Sequence, residues 1–112
     1  MERRYVLNQF VAVGRIAELP VLKETGNGIK FTSLLISCKR AYPNNDGDYE
    51  HDLICVTLWR SSAEECVNTA MLDGLVGIKG RLQSSIFKSE EGKTYYNYEI
   101  IAEKVSFMDE KQ

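Results

Sequence analysis

The sequence predicts an all-β domain of the OB-fold: a five-stranded Greek-key barrel with one short helix between the third and fourth strands. Residues 51–82, HDLICVTLWRSSAEECVNTAMLDGLVGIKGRL, read as strand, short helix and strand. The other segments read as strand or turn. Strong turn signals separate them, at Gly26-Asn27-Gly28, Pro43–Gly47 and Ser89-Glu90-Glu91-Gly92. A chain of 112 residues is one domain's worth. Residues 1–108 are expected to form the OB domain, with 109–112 a short polar end.

The first strand spans 5–18, where Phe10, Val11 and Val13 suit a strand with one buried face. Gly14 inside it marks a bend or bulge, and Pro20 ends it. The second strand, 29–40, alternates Phe31, Ser33, Leu35 and Ser37 on one face with Thr32, Leu34, Ile36 and Cys38 on the other. The third covers 51–60. A helix follows, capped by Ser61 or Ser62, with Ser62 and Glu65 in capping-box spacing. Its apolar face is Ala63, Cys66, Val67, Ala70 and Met71. Asp73-Gly74 stops it, with Gly74 as a left-handed cap. The fourth strand is 75–88 and the fifth 94–107. In the fifth, Tyr96, Tyr98, Ile100 and Ala102 share one face, and Tyr95, Asn97, Glu99 and Ile101 the other.

Composition narrows the function. No apolar run approaches the roughly 18 residues that span a bilayer, so no membrane association is expected. The opening MERRYVLNQF lacks the apolar core of a signal peptide, and the cytoplasm is the expected location. Cys38, Cys55 and Cys66 are widely spaced, and His51 is the single histidine. Neither a metal nor any other cofactor is expected, and the thiols read as reduced and mostly buried. His51, between Glu50 and Asp52, reads as solvated. No nucleophile-and-base spacing or glycine-rich phosphate loop is present, so the chain does not read as an enzyme. The net charge of −2 runs against a generic nucleic-acid binder. The basic residues nonetheless cluster, at Arg3-Arg4, Lys39-Arg40 and Lys79/Arg81, and one basic face competes with a mixed surface.

The chain resembles the bacterial single-stranded DNA-binding protein family over nearly its whole length. The matching pieces are Asn8 with Val11-Ala12-Val13-Gly14-Arg15, then Thr25-Gly26-Asn27-Gly28, then Val56-Thr57-Leu58-Trp59 followed by Ala63-Glu64. Gly80-Arg81-Leu82, and Gly92 with Tyr96, Glu99 and Ile100, complete the set. The resemblance implies an OB-fold that assembles as a homotetramer and wraps single strands without strong sequence preference. Such proteins sit with the nucleoid. The family places aromatics where Trp59, Phe87 and Tyr42 stand. It places a tryptophan where Leu53 stands, and its Gly74–Gly80 segment is one residue longer. Its usual flexible linker and acidic tip do not follow Met108-Asp109-Glu110-Lys111-Gln112. The expectation is a short form, truncated or native to a phage or mobile element, without tail-mediated recruitment of repair enzymes.

Single-stranded nucleic acid binds by stacking bases on rings and by pairing phosphates with cations along the same path. The candidate stacking residues are Trp59, Phe87, Tyr42, Tyr96 and Tyr98. The candidate phosphate contacts are Arg15, Lys30, Lys39, Arg40, Arg60, Arg81 and Lys88. Competing readings put Trp59 in the core or a subunit interface, Tyr42 over its loop, and Tyr95, Tyr96 and Tyr98 in cross-strand packing. Phe10 and Phe31 read as core. The expected function is binding and protection of single-stranded DNA in replication, recombination or repair, as a homotetramer or a dimer. Two rivals stand beside it: a primosome-type OB protein bridging replication factors, and an OB interaction module with weak DNA affinity.

Overall fold

The computed structural model describes residues 7–108. Arg3 and Arg4, the expected strand start at Tyr5 and Val6, and the end at 109–112 lie outside the described residues. Six strands and one helix follow in the order β1 (Phe10–Glu18), β2 (Lys23–Glu24), β3 (Lys30–Lys39), β4 (His51–Trp59), α1 (Ser61–Thr69), β5 (Leu75–Lys88) and β6 (Thr94–Phe107). The five longer strands are those the alternation predicts, except that the first begins at Phe10 and leaves Leu7, Asn8 and Gln9 outside it. The two-residue β2 is an addition, paired with Phe31 and Lys30 across a tight turn. That turn needs Gly28 at φ +82°, where a side chain is strained.

The sheet order is β1-β5-β6-β4-β3-β2, and β1 also pairs with β3, which closes the five longer strands into a ring. β1 serves two neighbours by dividing its length. Phe10–Arg15 pair with β5, and Arg15–Glu18 pair with β3. Gly14 sits at this seam because nothing larger fits: a Cβ there would lie 2.6 Å from the Ser37 carbonyl oxygen. The register shift expected near Gly14 falls later, between Ile16 and Glu18. Asn8 extends the ring in side-chain form. Its amide donates to the Leu82 carbonyl at 2.6 Å, and its oxygen accepts from the Leu82 N–H at 2.9 Å.

One face of every long strand fills the ring. Ile16, Leu34, Ile36, Val56, Leu58, Val76 and Ile78 are buried there with Ala63 and Cys66 of α1. Thr32 is buried among them, and its hydroxyl donates to the Val21 carbonyl at 2.8 Å, so no polar atom is stranded. Two expected core rings divide. Phe10 is half-buried against this cluster, whereas Phe31 lies on the other line of β3, with Ser33 and Ser37. Val11 and Val13 point outward, 68% and 56% exposed. The thiols divide too: Cys66 is buried, Cys38 half-buried and Cys55 exposed.

Helix α1 is shorter than the pattern predicts, and its ends differ. The chain enters it through Arg60 at φ 60°, ψ −129°, which is the cap residue and makes no side-chain capping bond. Ser62 is therefore already inside the helix, and the Ser62–Glu65 capping box does not form. The helix stops at Thr69 because Ala70 turns extended. Met71 is outside it and exposed. Asp73, not Gly74, takes the left-handed conformation, at φ 65°. Its N–H donates to the Ile16 carbonyl at 2.8 Å, tying the connection to β1. Among the described residues no helix is long and apolar enough to cross a membrane.

Candidate nucleic-acid interface

Strands β4 and β6 run parallel and meet at only two register pairs, Val56 with Ile100 and Thr57 with Ile101. Toward the N-terminal ends of both strands no further pair joins them. Each continues with its other neighbour instead. β4 stays with β3 out to His51 and Lys39, and β6 stays with β5 out to Thr94 and Lys88. Two ribbon-like arms therefore leave the same end of the closed sheet with a gap between them.

Side chains alternate along a strand, so register assigns each ring to a face. On the outer face Phe31 is directly opposite Trp59, their ring centroids 5.1 Å apart and tilted by 34°. On the same line, Thr57 of β4 leads across the seam to Ile101 of β6 and Arg81 of β5. From there the outer face runs through Gln83, Glu99, Ser85 and Asn97 to Phe87 opposite Tyr95, stacked at 6.2 Å. Trp59 is 36% exposed and Phe87 58%. With about 3.3 Å per strand residue, the two aromatic pairs lie roughly 25 Å apart along this surface. Leu53, opposite Ser37 and 66% exposed, adds an apolar spot on the β4 arm.

The remaining candidate rings lie elsewhere. Tyr96 and Tyr98 are on the opposite face of the β5–β6 arm, across from Ile86 and Ser84. They continue the line of Ile100 and Ala102 past the end of the core, which leaves them exposed. Tyr42 follows β3 and is 73% exposed.

The expected phosphate contacts do not form one basic face. Lys39 and Arg40 are split. The Lys39 ammonium lies 4.4 Å from the centre of the Tyr49 ring, while Arg40 is held by Asp52 and Glu50 at 2.8 and 2.7 Å. The hydrogen bond between them raises the Arg40 pKa and holds the Asp52 carboxyl below its ordinary range. Lys30 pairs with Glu64 at 3.1 Å, and Arg81 with Glu103 at 3.5 Å. Arg15 is exposed on β1 beside Ser37 and donates to the Asp73 carbonyl at 3.3 Å. Arg60 sits at the strained entry to α1, next to Trp59. Lys88 is exposed at the end of β5, at the foot of the turn closed by Gly92. Among the described residues no group of three or more His, Cys, Asp or Glu could hold a metal ion.

Three aromatics outside the sequence-derived set touch members of it: Phe31 against Trp59, Tyr95 against Phe87, and Tyr49 under the Lys39 ammonium. The signal for Phe31 was present, because the alternation already put it in line with Ser33 and Ser37. Tyr95 had the same kind of signal, in line with Asn97 and Glu99.

Residues 7–108 match the single-strand binding protein family. The chain belongs to that family. It is 36% identical over 106 residues to a single-stranded DNA-binding protein of Oceanobacillus iheyensis, covering 95% of this chain and 66% of that one. It is 35% identical over 106 residues to single-stranded DNA-binding protein B of Bacillus subtilis, covering 95% and 94%. A Bacillus cereus single-stranded DNA-binding protein is 34% identical over 104 residues, covering 93% and 61%. The chain thus spans somewhat less than two-thirds of the Oceanobacillus and B. cereus proteins, and nearly all of the B. subtilis one. Proteins of the family bind DNA and are not enzymes.

Proposed function

We propose that this chain binds single-stranded DNA without strong sequence preference and shields it during replication, recombination or repair. The observation that carries the reading is the pair of aromatic couples, Phe31–Trp59 and Phe87–Tyr95, on the same side of the sheet at either end of a line that dips through buried Thr57 and Ile101. Bases stack on such rings at about 1–3 kcal/mol each, whatever their identity. Tyr42, Tyr96 and Tyr98 are exposed and offer further rings to a strand that passes around the arms. In this reading Arg15, Lys30, Lys39, Arg40, Arg60, Arg81 and Lys88 meet the phosphates, and Arg15, Lys30, Lys39, Arg40 and Arg81 exchange their present partners to do so.

The chain also associates with itself in this reading, as a homotetramer, with a dimer as the alternative. Support comes from Val11, Val13 and Met108, which with Gly77, Lys79 and Lys104 line an open apolar groove. Location in the cytoplasm with the nucleoid follows from such a role.

Titration with oligo-dT, read by the emission of the single tryptophan and by mass, tests both parts. Quenching of Trp59 and an assembly of four chains are expected. No quench and no gel shift at low salt would leave a protein-interaction module, the reading that Leu53 and the paired cations favour.

A further inference from the structure

The β3–β4 arm carries one guanidinium already gripped on two sides. Arg40 Nη2 donates to Asp52 Oδ1 at 2.8 Å, and Nε donates to both Asp52 oxygens at 3.2 Å. Its Nη1 donates to Glu50 Oε1 at 2.7 Å. Neither carboxylate sits there by chance of rotamer. Asp52 is fixed by register, opposite Cys38, on the face of the ribbon that Arg40 also occupies. Glu50 accepts the Arg40 backbone N–H at 2.9 Å through its carbonyl, and its second carboxylate oxygen accepts from the Asn44 amide at 3.2 Å. Asn44 is itself anchored, its oxygen accepting the N–H groups of Asp46 and Asp48 at 2.9 Å. The fork of Arg40 is filled as a phosphate would fill it. The three side chains remain 46–52% exposed. An ion pair so exposed contributes little to stability and exchanges readily with an outside anion.

We propose that Asp52 and Glu50 set the affinity of this arm for single-stranded DNA by occupying Arg40, so that a backbone phosphate must displace them to be bound. This rests on the nucleic-acid reading above. Displaced carboxylates take up cations from solution, which offsets the counterions that the phosphate releases. Arg40 therefore adds little to the salt dependence of the wild-type protein.

The test is a double-mutant cycle on oligo-dT binding at several salt concentrations. Asp52→Asn and Glu50→Gln should each tighten binding at low salt, by up to about fivefold. Together they should steepen the slope of log affinity against log salt by about 0.7, the share of one phosphate contact on a single strand. Arg40→Ala should weaken binding, as expected of a residue that meets a phosphate, and should abolish the gain in the neutralised background. Glu65→Gln on α1 removes a charge away from Arg40 and should reproduce none of this. Melting temperatures identify any variant that has lost the fold, and Glu50→Gln alone leaves the Asp52 contact intact as a second route. A gain that persists without Arg40 would reduce the effect to bulk charge and overturn the proposal. So would weaker binding by folded Asp52→Asn, since the carboxylate would then be positioning Arg40 for DNA. A wild-type protein with no affinity for oligo-dT at low salt would sink the nucleic-acid reading first, and this proposal with it.

Discussion

Phe31 and Trp59 are direct cross-strand partners, their ring centroids 5.1 Å apart on the outer face of the sheet. Phe31 thereby forms one wall of the environment of the only tryptophan. Phe31→Ala should shift the tryptophan emission to the red and cost about 0.5–1.5 kcal/mol of aromatic pairing, read by urea unfolding. It should also reduce the quench by oligo-dT. An unchanged emission maximum would mean that the two rings are not in contact in solution.

Phe87 and Tyr95 form the second couple, far from the core. Phe87→Ala should weaken oligo-dT binding by roughly 1–3 kcal/mol and leave the melting temperature within a degree or two. Tyr95→Ala should do the same. The double variant should lose less than the sum, because the two rings support one another. Tyr96→Ala and Tyr98→Ala report on the opposite face of the arm. Losses there as large as at Phe87 would mean that the strand passes around both sides.

Much of this was readable from alternation alone. Alternation separates Thr32, Leu34 and Ile36 from Phe31, Ser33 and Ser37 in β3, and Ile100 and Ala102 from Ile101 in β6. It does not say which line is buried. Phe31 reads as core and lies on the outer line, and Ile101 is buried on the line opposite Ile100. The pattern failed where burial stops while the strand goes on. Tyr96 and Tyr98 keep the core parity yet lie beyond the core, and no residue type marks that limit. It failed again at α1, where Ser62 and Glu65 have the right spacing but the wrong phase, since Arg60 occupies the cap. The pairing of Arg40 with Asp52 needed the β3–β4 register, which brings together residues a loop apart.

Arg60 holds a backbone conformation, φ 60° and ψ −129°, that costs a side-chain-bearing residue about 1–3 kcal/mol. Glycine adopts it freely. Arg60→Gly should raise stability by about 1 kcal/mol after the extra freedom of the unfolded chain is counted. The same change should lower DNA affinity and reduce the salt slope by about 0.7 if Arg60 meets a phosphate. Calorimetry and salt-dependent titration read the two effects separately.

Gly14 and Gly26 should respond oppositely to alanine. At Gly14 the added carbon meets the Ser37 carbonyl oxygen at 2.6 Å, across the pairing that closes the sheet. A backbone neighbour cannot swing aside, so Gly14→Ala should cost about 1–3 kcal/mol or more and lower the melting temperature by roughly 10 °C. At Gly26 nothing lies within 4 Å, and Gly26→Ala should leave stability within about 0.5 kcal/mol.

Burial, with Glu65 a smaller cause, pushes the Cys66 thiol up from 9.0 to about 11. The unfolded chain then ionises this thiol at lower pH than the folded one does. The folded state should lose on the order of 2 kcal/mol as pH rises from 9 to 11, with no contribution from this group below 9. Cys66→Ala should flatten that segment of the pH profile. Alkylating reagents at neutral pH should label exposed Cys55 and spare Cys66.

The brief parallel contact of Val56 and Thr57 with Ile100 and Ile101 is where the two ribbons are joined. They are not anchored alike. The β3–β4 ribbon carries Ile36 of the apolar cluster, with Cys38 and Ile54 packed against it, and Ile36 is also paired with Ile16 of β1. The outer β5–β6 ribbon, residues 82–88 and 94–99, is exposed throughout and adds nothing to that cluster. One jaw is therefore fixed by buried hydrocarbon, whereas bending of the other would uncover none. A polymer lying in the notch would rest on a stiff wall beneath a compliant one, a geometry suited to holding a chain that must later be let go.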